Sequence, residues 1–262
     1  MSEESKYVEL VNRLRQFEKL AIAFSGGVDS TLLLHAALEV LKAGNVVAFF
    51  AHSSLISSRT VAQRNEVIAR NFPHGVDLRI VLVDPLEWQE FVVNDKNRCY
   101  FCKKRMYTTL QLAMGAAGYN RLADGTNCDD ILESRPGLEA IRELDVLTPL
   151  ADVGLAKTEI RRLAERFGLS NFAMPSNSCL ATRVPLGQPI TAKILDLIDQ
   201  AENFLHLKGF MGCRVRIGHA YTIIEVRRED VAAFMDLSNR EEVQAYFKDL
   251  QLPQVALNLI GR

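Results

Sequence analysis

The string SGGVDS, residues 25–30, separates a short apolar run from a strongly helical stretch, and it most constrains how this chain can fold. Leu20 to Phe24 reads as a buried strand, Ser25, Gly26 and Gly27 break it, and Ser30 to Leu41 is helical. Glycines let the backbone approach an anion, and the open N–H groups at a helix start point toward it. Ser25 and Ser30 add hydroxyl donors. Asp29 beside a phosphate calls for a cation between them, which implies Mg²⁺. The lysine of the GxxxxGK[ST] loop is missing, and that motif occurs nowhere else in the chain. The plain alternative is a Gly-rich turn capped by Ser or Asp. The full string in the first strand-to-helix turn is more specific than that.

The rest of the chain continues the alternation. Residues 6–19 have a helical rhythm. NVVAFFAH (45–52) is a second buried strand, a helix follows near 59–71, and LRIVLVD (78–84) is a third strand. A helix near 99–117 leads to RLADGTN (121–127), a strand ending in a turn. KTEIRRLAERFGL (157–169) is helical, with Gly168 as its stop. Strands alternating with helices predict an α/β fold with a parallel sheet covered on both faces. After NSCLATRVPLGQPI the pattern changes to a helix over 191–207, a hairpin with strands near 213–217 and 222–226 around Gly218, and a last strand, VALNL (255–259). The expected organisation is a parallel-sheet domain over 1–180 and a smaller C-terminal α+β domain over 181–262, with the boundary near 175–190.

The 262 residues carry 31 Lys plus Arg against 32 Asp plus Glu, so overall charge gives no case for nucleic acid or an anionic membrane. No stretch has the length of a membrane span, and the polar start MSEESKYVEL has no signal-peptide pattern. A cytoplasmic location is expected, where structural disulfides are rare. The five cysteines cannot all pair, and Cys99 and Cys102 form a CxxC, which suggests metal or redox chemistry before a disulfide.

SGGVDS resembles the loop of the PP-loop ATP pyrophosphatase superfamily, with its adenine nucleotide α-hydrolase-like domain. GMP synthetase, NAD synthetase, asparagine synthetase and tRNA thiolation enzymes belong to it. The resemblance implies that Ser25, Gly26, Gly27, Asp29 and Ser30 hold the β and γ phosphates of ATP with Mg²⁺. The substrate then attacks the α phosphate to give an adenylate and pyrophosphate. The end of the second strand, Ala51 to Ser53, would face the adenosine. DGTNCDD (124–130) lies at the C-terminal end of a strand, where open α/β sheets place ligands. Gly125 would join the ATP site there and Asp129 would hold Mg²⁺, while a solvated turn is the reading kept for Asp130. Lys157, at a helix start, would neutralise phosphate, or is simply solvated.

The longer strings DGTNCDDILESRPGLEA, PLADVGLAKTEIRRLAERFGL, PSNSCLATRVP and GCRVRIGHAYTIIEV follow the layout of the LarE-type sulfur transferases over nearly the whole chain. Those enzymes adenylate a carboxylate on a pyridinium mononucleotide and replace oxygen with sulfur, in making the nickel-pincer cofactor. The resemblance puts Cys179 at the sulfur-donor position. Arg183 would hold phosphate or lower the thiol pKa. Arg214 and Arg216, which share a strand face, would be ligands for the substrate phosphate. Glu202 and Glu225 fall on acidic positions lining the family's substrate site, and another such position falls at Ala233. Cys99, Cys102 and Cys179 together suit a [4Fe–4S] cluster with one open iron, as in related thiolases. A redox CxxC, a zinc site or unrelated thiols are the competing readings. Cys128 and Cys213 fit no pattern.

The expected partner is a small mononucleotide, with no nucleic acid, no membrane, and self-association into a homo-oligomer. A tRNA thiolase is the first alternative, and it calls for a basic, aromatic-bearing surface or an added RNA domain. An amide-forming synthetase would need an ammonia source, and no glutaminase region is present. A nucleotide-binding module without chemistry would bind ATP and release no pyrophosphate.

Overall fold

The computed structural model describes residues 2–132, 136–175, 178–252 and 254–262. Glu133 to Arg135 and Ser176 and Asn177, which fall within two of the LarE-type strings, lie outside the described residues. The chain divides into two compact units. The first runs through Ser53 and adds Thr60–Asp84 and Cys99–Asn177. The second takes Ser54–Arg59, Pro85–Arg98 and Ser178–Arg262.

In the first unit, strands β1 (Leu20–Ala23), β2 (Val46–His52), β3 (Asp77–Leu82) and β4 (Leu122–Asp124) form a parallel sheet in the order β3-β2-β1-β4. Side chains alternate across it. Leu20 and Ile22 pack with helices α1 (Glu3–Leu14) and α2 (Val28–Val40) and with the Lys157–Arg166 helix. Ala21 faces the other way, with Val47, Phe49 and the Tyr107, Leu110 and Met114 side chains of the Arg98–Ala116 helix. An apolar run without alternation is what a strand buried on both faces requires. β3 is different. It is one edge of the sheet, and Ile80 and Leu82 are 55% and 76% exposed, so the two-sided cover expected from the sequence fails at β3, whereas β4 at the other edge is buried.

The chain builds outward from β1 to β3 and then returns to place β4 on the other side of β1. Such a reversal opens a crevice at the carboxyl ends of the two strands that flank it. SGGVDS leaves β1 at that end, and Gly125 follows β4 there.

In the second unit, β5 (Arg214–Ile217) and β6 (Tyr221–Glu225) are the antiparallel hairpin, and β7 (Gln254–Leu257) pairs parallel to β6. The Ala192–Leu207 helix is capped by the Thr191 hydroxyl, which accepts from Ile194 N–H. The two short segments are tied in by hydrogen bonds. Leu180 N–H donates to the Leu55 carbonyl, and Ser58 N–H donates to the Asp199 carboxylate. The buried Asn94 amide donates to the Pro185 and Gln188 carbonyls, both at 2.8 Å. No helix among the described residues is long and apolar enough to cross a membrane.

Candidate active site

Gly26 adopts φ +81°, a conformation that L side chains rarely take, and Gly27 caps α2 in extended backbone. The loop is closed by its own side chains. Ser25 N–H donates to Ser30 Oγ at 3.2 Å, Gly27 N–H donates to Ser25 Oγ at 3.3 Å, and the Ser30 and Thr31 hydroxyls both donate to the Gly27 carbonyl. Gly125 packs directly on the start of α2. A β-carbon there would lie 2.8 Å from Ser30 N and 3.1 Å from Asp29 Cβ. Ser53 follows the last residue of β2.

One lysine joins the two carboxylates expected to hold Mg²⁺. The Lys157 ammonium donates to Asp29 Oδ2, and the Lys157 N–H donates to Asp129 Oδ2 at 2.8 Å. Asn127 Nδ2 donates to the other Asp29 oxygen at 3.3 Å. Two carboxylates with open lone pairs beside a phosphate-type loop fit Mg²⁺, which takes one or two carboxylates and completes its shell with phosphate oxygens and water. Asp130 faces its own turn, accepting from Asn127 N–H.

In the second unit, Cys179 is exposed and leads into a 3₁₀ turn, Leu180–Arg183. The sequence reading assigns Arg183 to the substrate phosphate and Glu202 to the substrate lining. In the structure both are buried, at 3% and 4% exposure, and each neutralises the other. Arg183 Nε and Nη2 donate to Glu202 Oε1 and Oε2 at 2.8 and 3.2 Å, and Val215 N–H donates to Glu202 Oε1 at 3.0 Å. Arg183 Nη1 donates to the carbonyls of Ser178 and Cys179 and to the Ser178 and Thr182 hydroxyls. Arg183 is therefore a brace for the turn that presents the thiol.

Arg214 and Arg216 share one face of β5, and Glu225 lies opposite Arg214 on β6. Arg216 donates to both Glu225 oxygens, at 2.8 and 3.1 Å, and through Nη1 to the Thr182 carbonyl at 2.8 Å. Burial pushes Glu225 up, but the hydrogen bonds and charge of Arg216 outweigh it and hold the carboxyl below its ordinary value. Burial, and then the charges of Arg262, Arg183 and Arg216, bring Arg214 down to about 10. That crowding of like charge favours a bound anion. Asp230 and Asp236 are the nearest acidic residues in sequence to Ala233, and Asp230 pairs with Arg227.

Cys99 and Cys102 lie in the first two turns of the Arg98–Ala116 helix, the first exposed and the second half-buried. They belong to the first unit and Cys179 to the second. Among the described residues no three His, Cys, Asp or Glu side chains are gathered as a metal site. Burial raises the thiol pKa values of Cys128 and Cys213 and disfavours their thiolates.

Residues 16–207 match the family described as ThiI, thiamine biosynthesis protein. The chain belongs to the ThiI family. Among its relatives, the uncharacterized protein slr1717 of Synechocystis sp. is 33% identical, covering 98% of this chain and 95% of the relative. The uncharacterized protein MJ0830 of Methanocaldococcus jannaschii is 30% identical over 97% and 96%. The pyridinium-3,5-bisthiocarboxylic acid mononucleotide synthase of Lactiplantibacillus plantarum is 29% identical over 98% and 91%. These matches bear out the PP-loop and LarE-type resemblances, and they make the chain an ATP-using enzyme of the sulfur-transferase type.

Three residues of this ThiI-family site escaped the sequence reading. Asn171, 1% exposed, donates to the Gly26 carbonyl at 3.0 Å and to Thr31 Oγ1 at 2.9 Å, so it fixes the loop from outside. Tyr107 donates to Asp124 at 2.6 Å and holds the strand end before Gly125. Asn127 reaches Asp29 from the DGTN turn. Only the DGTN string offered a signal. Asn171 sits in an ordinary turn after Gly168, and Tyr107 looks like any core aromatic.

Proposed function

We propose that the chain is an ATP-dependent sulfur transferase acting on a pyridinium mononucleotide, in nickel-pincer cofactor biosynthesis. A substrate carboxylate oxygen attacks the α phosphorus of ATP, and pyrophosphate leaves. A sulfur nucleophile then attacks the carbonyl carbon and AMP leaves: sulfide gives the thiocarboxylate directly, whereas the Cys179 thiolate gives a thioester whose Cβ–S bond breaks as the Cα proton is removed, releasing the thiocarboxylate and leaving dehydroalanine at 179. The relative from Lactiplantibacillus plantarum carries that product class in its name. The observation that carries the reading is the link between thiol and arginines. Arg216 donates to the carbonyl of Thr182, and Arg183 donates to that of Cys179, so phosphate-type ligands and the thiol turn are built as one piece.

In this reading residues 1–180 supply ATP chemistry and 181–262 bind the mononucleotide. Ser25, Gly26, Gly27 and Ser30 cradle the β and γ phosphates with backbone N–H groups and hydroxyls. Asp29 and Asp129 hold Mg²⁺, and the Lys157 ammonium moves from Asp29 onto phosphate oxygen. Gly125 and Ser53 border the nucleotide. Arg214 and Arg216 take the substrate phosphate, with Glu225 orienting Arg216. Cys179 is the sulfur-transfer residue, presented by the buried Arg183–Glu202 pair. A [4Fe–4S] cluster on Cys99, Cys102 and Cys179 would supply an iron able to carry sulfide.

The test is pyrophosphate release from ATP with a pyridinium dicarboxylate mononucleotide, with mass spectrometry of oxygen-to-sulfur exchange in the product. Wild type should show both, and Asp29→Ala neither, with the fold intact by circular dichroism. Pyrophosphate release that Asp29→Ala leaves unchanged would remove the ATP assignment. Release that depends on tRNA and not on the mononucleotide would move the chain to the tRNA thiolases.

A further inference from the structure

Helix α3 (Ser58–Asn71) turns an arginine inward. Arg64 is 4% exposed, and with Val67 it forms the buried side of the helix. Its stem runs beneath the phosphate loop. A β-carbon on Gly26 would lie 3.1 Å from Arg64 Cβ and 3.3 Å from its Cα and Cγ. The guanidinium lies over the Phe50 ring, 4.1 Å from its centroid, and Nε and Nη2 donate to Asn65 Oδ1 at 3.1 and 2.6 Å. Nη1 is buried and has no hydrogen-bond partner among the described residues.

A cation taken out of water is costly unless an anion compensates it. Among the described residues no carboxylate within ion-pair distance does so, and burial lowers the Arg64 pKa with no offsetting negative charge. The nearest element able to bring an anion is the loop above it. SGGVDS has no basic residue of its own, and its Asp29 is already paired with Lys157. Arg64 thus packs its stem against Gly26 and carries a positive charge that no carboxylate among the described residues balances and that phosphate bound at the loop would.

Building on the ATP reading above, we infer that Arg64 is a positioning residue for polyphosphate: it sets the Gly26 turn from below and supplies the positive charge that the loop itself lacks. Inorganic pyrophosphate and adenosine, with Mg²⁺ present, separate this role from a purely structural one when binding to the full-length protein is measured by calorimetry. Arg64→Met keeps the bulk and removes the charge. It should weaken pyrophosphate binding about tenfold or more, a gap of the size lost with one charged contact, and leave adenosine binding unchanged. Arg64→Lys should restore most of the loss, and added salt should narrow the difference between wild type and Arg64→Met. Should Arg64→Met fail to fold, Arg64→Gln serves the same comparison. Unchanged pyrophosphate affinity in the uncharged variant overturns the inference. So does an equal loss for both probes without rescue by lysine. Wild type that binds neither probe overturns the ATP reading and this inference with it. Wild type that binds both while Arg64→Met matches it overturns this inference alone.

Discussion

Arg183 Nε lies 2.8 Å from Glu202 Oε1, and neither residue is more than 4% exposed. Removing one partner leaves the other buried and charged. Glu202→Gln or Arg183→Met should each destabilise the second unit by about 3–5 kcal/mol, and the double variant by less than the sum. Denaturant titration of the three variants checks this. Equal, additive losses would mean the two charges do not depend on each other.

Gly125→Ala should abolish pyrophosphate release, because the new methyl meets the Ser30 backbone nitrogen at 2.8 Å and must push α2 away. Gly115→Ala is the matched control. A β-carbon there meets nothing within 4 Å, and the position is helical, so stability should hold or rise by up to about 1 kcal/mol. Pyrophosphate assays and thermal melts of both variants distinguish the two glycines.

Arg216→Ala should weaken mononucleotide binding more than ATP binding, by about tenfold or more for loss of a bidentate phosphate ligand. Calorimetry with each ligand gives the comparison. Equal effects on both would remove Arg216 from the substrate site.

His206 titrates abnormally. Burial, and then the charge of Arg59, bring its pKa down to about 4, and Nδ1 is buried without a hydrogen-bond partner among the described residues. The unfolded chain takes up a proton near pH 6.5, whereas the folded unit does so only near pH 4. The contribution to stability is therefore complete above pH 6.5 and is lost as pH falls toward 4, with about 2 kcal/mol of the loss between pH 7 and pH 5. Melts at pH 7 and pH 5 should show that loss in wild type and a smaller one in His206→Gln.

Protein purified without oxygen should contain about four irons and matching acid-labile sulfide per chain, and Cys179→Ser should lose them. Metal analysis and the visible spectrum read this directly. Iron-free protein after reconstitution would leave Cys179 as a sacrificial donor and Cys99 and Cys102 without a cluster.

The local features were legible in the sequence. β1, SGGVDS and α2 are consecutive, and the chemistry of glycine, serine and a helix start needs nothing from elsewhere in the chain. What depends on tertiary contact was not legible. Arg183 and Glu202 are 19 residues apart, and nothing in their surroundings marks them as partners. Nothing in the sequence marks Arg64 as buried, since helical periodicity ordinarily assigns an arginine to the outer face. The parallel pairing of β7 with β6 was equally hidden, because a short apolar run has no direction of its own.

The second unit draws on three separate stretches of chain, with Leu55 and Asn94 holding turns near Cys179 and Gln188. It is therefore not a cassette. A fragment starting at Ser178 would lack the acceptor for Leu180 N–H and the amide that closes the Pro185 turn. During synthesis the ribosome has released both short pieces well before the stretch that needs them. The unit can be finished only when the last of its chain arrives, so truncation and domain grafting at residue 178 would cut through a structure that the linear order conceals.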